Sequence, residues 1–199
     1  MKFNYTILNE PVTIVPMRSL FCKRIMDRFA KRCKGVFKPN LCYYNALVAA
    51  RWLKEWGFDV EVVDGVLTTN DNYPLLCKKM GLAEESRYPH LQNNAPIGHR
   101  WCKKGNRYFD PTIEGLFGME YVRAFDYKGM RVFDDQTLIA FANTIRSTFR
   151  SEQIRFVSSI SGCTYKYDGK HETLINWGYI DDNGNYIAPE KNPFEELSK

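Results

Sequence analysis

Apolar positions recur at close to helical spacing between Leu41 and Trp56: Leu41, Ala46, Leu47, Ala49, Ala50, Leu53 and Trp56. Asn40 offers an N-cap in front of this run, and Gly57 a stop behind it. A second helix is predicted over Ser19 to Cys33. Leu20, Phe21, Ile25, Met26 and Phe29 form its apolar side, and Lys23, Arg24, Arg28, Lys31 and Arg32 a solvated one. A third runs from Asp134 to Arg150, capped by Asp134 or Asp135, and a short one from Asn72 to Leu82 with Pro74 near its first turn. Strands are predicted at Phe3–Leu8 and Val12–Val15, broken by Asn9-Glu10-Pro11, and at Phe58–Thr69, where Gly65 is a bend or bulge. His99–Lys103 and Arg107–Asp110 form a hairpin around Lys104-Gly105-Asn106. Glu84 to Ile97 reads as a loop or lid, and Glu114 to Lys128 has no clear period. In the tail, Asp168-Gly169 and Asn183-Gly184 mark hairpins. The order of elements is an α+β pattern, with N-terminal helices packed on an antiparallel sheet.

Composition narrows the function classes. At 199 residues the chain forms a single domain, 1–199, with a full core. The net charge of +5 is mild and its cations are scattered among acids, so neither a nucleic-acid partner nor a membrane is expected. No run of about 18 apolar residues occurs, and the N-terminal stretch has no continuous apolar leader core. The six cysteines are dispersed without a CxxC pair, which fits a reducing compartment; the expected location is the cytoplasm. Cys163 and His171 lack the companions of a zinc quartet, so no metal and no cofactor is expected. The oligomeric state is left open.

The chemistry gathers around Cys42. It falls in the first turn of the 41–56 helix, where unpaired N–H groups and the positive end of the helix dipole favour a thiolate. A thiol nucleophile also needs a base and a group to orient that base. His99 opens one hairpin strand and Asp110 ends the other. Counting around a three-residue turn sets Trp101 against Phe109 and Arg100 against Asp110. Asp110 is then within one register step or one bulge of His99.

These pieces, in this order, resemble the transglutaminase-like branch of the papain-like cysteine hydrolases. The matching stretches are the Cys42 helix, Gly57-Phe58-Asp59-Val60 leading into Val62-Val63-Asp64-Gly65, then Gly98-His99-Arg100-Trp101, and Arg107 to Thr112 ending in Asp-Pro-Thr. They span a motif core of 40–112. The resemblance implies a papain-like fold, a Cys42–His99–Asp110 triad, and acyl transfer from a peptide or small amide, or a thioester, to water or an amine. Substrate contacts are then expected from Asn40, Tyr43 and Trp101, with Trp101 as core or cleft wall. Leu41 and Tyr43 flank Cys42 where the family often has Trp or Gly, and no Gln precedes it as an oxyanion donor. The Cys42 N–H is one candidate donor, with Asn40 or a tyrosine hydroxyl as another. The missing donor keeps a second class open: a binding or structural protein of the same fold with an idle triad.

Overall fold

The computed structural model describes residues 5–39, 41–79, 97–133, 154–158, 163–167, 172–176, 179–180, 186–187 and 190–191. Its centre is a five-stranded antiparallel sheet built from β1 (Tyr5–Val12), β2 (Glu61–Thr69), β3 (Ile97–Lys104), β4 (Arg107–Phe109) and β5 (Phe125–Phe133), in the order β1-β5-β2-β3-β4. The helices are α1 (Lys23–Cys33), α2 (Cys42–Glu55), α3 (Asn72–Lys79), α4 (Pro111–Phe117) and α5 (Met119–Val122). The architecture is therefore α+β, helices on an antiparallel sheet. Three further strands, β6 (Ile154–Ser158), β7 (Cys163–Tyr167) and β8 (Glu172–Asn176), form a separate antiparallel sheet. The strands flanking Asp168-Gly169 pair as expected, and so do β9 (Tyr179–Ile180) and β10 (Tyr186–Ile187) around Asn183-Gly184. The predicted 134–150 helix lies outside the described residues, and so does the predicted 84–97 loop or lid except for Ile97, which opens β3. Among the described residues no helix is long and apolar enough to cross a membrane.

Alternation along the strands separates two apolar clusters. Val62, Cys102, Phe109 and Phe133 point to one side, where Ala46, Leu47, Ala49, Ala50 and Leu53 of α2 and Phe29 of α1 cover them. Val63, Leu67, Trp101, Tyr127 and Val132 point to the other, against Ile113 of α4 and Val122 of α5. The helical spacing read for α2 is thus its buried face, and Gly57, at φ +85°, ends it as predicted.

Three local expectations change. The first strand runs through the expected break as far as Val12, and the strand expected at Val12–Val15 reduces to an isolated bridge at Ile14: Asn9 takes φ 48° at an irregularity between Ile7 and Glu10, and Pro11 is tolerated because β1 is an edge. The helix expected from Ser19 starts at Lys23. Met17–Ser19 form a separate 3-10 turn, held by the Met17 N–H donating to the Glu114 carboxylate at 2.9 Å and by Ser19 Oγ donating to the Pro16 carbonyl at 2.7 Å. The basic face of α1 is not simply solvated, since Arg28 and Arg32 lie 4.4 and 4.9 Å from the ring centres of Trp56 and Trp52 on α2.

Gly65 carries the bulge expected of it: the β2–β5 register shifts between Asp64 and Gly65. Its second role is space. A Cβ there would fall 2.3 Å from the Trp101 ring and 2.3 Å from the Lys128 carbonyl oxygen. Gly65→Ala is therefore expected to cost about 1–3 kcal/mol in urea unfolding, as overpacking does. Gly115→Ala, whose new Cβ would come no nearer than 3.8 Å to Phe37, is expected to be neutral or to stabilise by up to about 1 kcal/mol.

Candidate active site

The hairpin fixes where the site forms. Gly105 and Asn106 make a two-residue turn, with glycine first at φ +56°, so Lys104 faces Arg107, Lys103 faces Tyr108 and Cys102 faces Phe109. This corrects the expected pairing by one residue. The shift matters because it moves a side chain to the opposite face. Tyr108 now shares a face with Lys103, and Asp110, two residues on, shares the face of Trp101 and His99.

β4 pairs with β3 only from Cys102 to Lys104. From Trp101 back to Ile97 the outer edge of β3 has no strand partner among the described residues. The N-terminal ends of two helices meet there: Cys42 is the first residue of α2, and Asp110 is the N-cap of α4.

Asp110 is wholly buried and accepts four hydrogen bonds. Oδ1 takes the backbone N–H groups of Thr112 at 2.9 Å and Ile113 at 3.0 Å. Oδ2 takes His99 Nε2 at 2.7 Å and the Tyr127 hydroxyl at 2.9 Å. Two donors on each oxygen fill the capacity of a carboxylate. Pro111 at the first helical position suits this cap, having no N–H of its own to place.

His99 is buried too, and the Cys42 thiol bonds to the same ring. With Nε2 committed to Asp110, Nδ1 is the nitrogen left for sulfur. Burial pulls the imidazole's pKa down. The charge of Asp110 opposes this, then that of Cys42, and both also hydrogen-bond the ring; the result is pushed up from 6.5 to about 10. Cys42 itself is half-buried. The other thiols differ in kind. Burial raises Cys33 to about 12, and burial followed by the charge of Asp110 raises Cys102 well above its ordinary value. Cys22 is exposed and Cys77 buried.

Two rings hold the imidazole in place. Trp101 stacks on His99 at 6.1 Å and 26°, and meets Tyr127 edge-on at 5.3 Å and 88°. Tyr127 also lies edge-on to His99 at 6.3 Å. Trp101 has 0% exposed surface and packs in the cluster that holds Val63, Tyr127 and Val132. Asn40 lies outside the described residues, and so does the side chain of Tyr43. The N-cap of α2 is Leu41, which supplies no side-chain bond.

Sequence reasoning missed two residues. Asn45, one turn beyond Cys42 and fully buried, donates to the Lys38 carbonyl at 2.9 Å and accepts from its N–H at 3.4 Å, so it ties the approach to α2 onto the helix. Tyr127 lies on the stretch of 114–128 that showed no period. A groove of about 770 Å³ between Val12–Ile14 and Phe125–Lys128 touches the site only through Tyr127; neither Cys42 nor His99 lines it.

The direction of the His99 shift sets a pH dependence. Its folded pKa lies above the unfolded 6.5, so the imidazolium's stabilisation is complete below pH 6.5 and is lost as pH rises through about 10. The measurement is best made in Cys42→Ala, which removes the neighbouring thiol. Melting temperature is expected to fall as pH rises above 6.5 in that variant, where Asp110 alone holds the imidazole up, and more steeply than in Cys42→Ala/His99→Gln. Equal slopes would remove the Asp110–imidazolium pair.

Comparison with protein-family models, with curated proteins and with solved structures returns no match in any of the three.

Proposed function

We propose that this chain is a cysteine-dependent acyl hydrolase or acyltransferase of the transglutaminase-like, papain-like kind, acting on a peptide or small amide. The observation that carries the reading is one buried imidazole bonded to a carboxylate through Nε2 and to a half-buried thiol at the first residue of a helix. Carboxylate, imidazole and thiol in series are the parts of an activated sulfur nucleophile.

The steps balance on these groups. His99 Nδ1 takes the Cys42 proton, and the sulfur bonds to the carbonyl carbon. The carbonyl electron pair moves to oxygen and the Cys42 backbone N–H donates to it. As the intermediate collapses, the C–N bond breaks and the imidazolium gives its proton to the departing amine. Water or a second amine then attacks the thioester. His99 takes the attacking group's proton, and sulfur leaves as the thiolate, to be reprotonated from the ring. Throughout, Asp110 holds the ring by its Nε2–H and balances the imidazolium's charge.

The cysteines supply an internal test. Cys22 is more exposed than Cys42, so access alone favours Cys22. With iodoacetamide near pH 7 and site-resolved mass spectrometry, Cys42 is expected to react faster. His99→Ala should slow Cys42 by about tenfold or more and leave Cys22 unchanged, Asp110→Asn should slow it less, and Lys103→Ala hardly at all. Incubation with activated esters and peptide amides should leave an acyl group on Cys42. If Cys22 outpaces Cys42, or His99→Ala changes nothing, the thiol is an ordinary one and the idle-triad reading takes over.

A further inference from the structure

We infer that Tyr127 is a positioning residue of this site: its hydroxyl, donated to the carboxylate oxygen that holds His99, limits how strongly Asp110 retains the imidazolium proton. The inference rests on the proposed nucleophile and adds to it a control on the base.

The geometry leaves Tyr127 little choice. It comes from β5, between Asp126 and Lys128, and is 5% exposed. A buried phenol needs a partner, and this one reaches Asp110 Oδ2 at 2.9 Å. The same oxygen accepts His99 Nε2 at 2.7 Å. Two donors therefore compete for one centre of negative charge. Burial, then the charge of Asp110 and the bond to it, hold the phenol well above its ordinary range, so it remains a donor wherever the imidazole titrates. The other titratable groups around this pair are Cys42 from α2, which faces His99, and Cys102 from β3 and Glu114 from α4, which face the carboxylate.

The consequence follows from charge. A carboxylate bonded by three neutral donors attracts an imidazolium less than one bonded by two. Without the hydroxyl, the imidazolium is held more tightly and surrenders its proton to a leaving amine less readily. Packing gives no such effect, because phenylalanine would keep the ring contacts with Trp101 and His99.

The test is a ¹⁵N NMR titration of the full chain labelled at histidine. It holds three histidines, so His99 is assigned by the signal missing from His99→Gln. In Tyr127→Phe the His99 midpoint is expected to rise by about one pH unit. In an Asp110→Asn background, where asparagine still caps α4, the same substitution should leave the midpoint unmoved. A second measurement needs no substitution: 3-fluorotyrosine incorporated into the natural sequence makes the phenol a stronger donor and should lower the midpoint. An unchanged midpoint in Tyr127→Phe, an equal shift with and without Asp110, or no response to fluorination would each overturn the inference. The titration reads His99 whether or not Cys42 accepts an acyl group. A failure here is thus distinct from a failure of the acyl-transfer reading.

Discussion

A buried carboxylate must be satisfied on every side, and the site is arranged around how Asp110 meets that demand. An unpaired charge in this position would be far more costly than any single contact in the domain. Its four donors come from two different tasks. Two are orphan N–H groups at the start of α4, which any helix must place somewhere. The other two are side chains, one from β3 and one from β5. Helix initiation and imidazole orientation thus use the same two oxygens. The plane of the carboxylate, and hence the direction in which it points the imidazole, is set by backbone geometry.

The sheet makes room for this arrangement. Trp101 can lie flat beside His99 because Gly65 leaves the opposite strand bare, and Tyr127 stands against both rings. Aromatic pairs of this kind contribute about 0.5–1.5 kcal/mol each beyond the area they bury, enough to keep a ring from turning. On the other face of the sheet a second buried carboxylate, Asp64, is met differently, by Arg100 at 3.2 Å and by Arg131. Asp64 is neutralised by full charges. Asp110 is surrounded by neutral donors and one titratable ring. Only the second environment leaves a proton free to move.

Much of this was legible in the chain. The α2 periodicity, the stop at Gly57, the bend at Gly65 and the β3–β4 hairpin all follow from local rules, and together they bring Cys42, His99 and Asp110 near one another. The register did not follow, because Lys104-Gly105-Asn106 admits a two- or a three-residue turn. The glycine-first two-residue form matches the twist of the flanking strands, and choosing it changes the face of Asp110. The capping role of Asp110 was hidden because α4 and α5 are short and separated by Gly118, so neither shows a full helical period. Tyr127 carried no signal at all: a tyrosine in a strand is usual, and only the partner of its hydroxyl distinguishes it. Arg28 and Arg32 misled for a related reason, since charge patterning does not reveal that a guanidinium lies on a tryptophan of the next helix.

The double employment of Asp110 bears on how such a protein would age. A chain released from selection on catalysis still needs α4 to start, and so still needs the aspartate. Cys42 carries no comparable obligation to the fold: α2 begins without a side-chain cap. Decay would therefore take the thiol first and leave the carboxylate standing, together with the ring that donates to it. Among descendants of this sequence, the aspartate and its imidazole would mark common architecture, while the cysteine would record whether the proposed chemistry was in use.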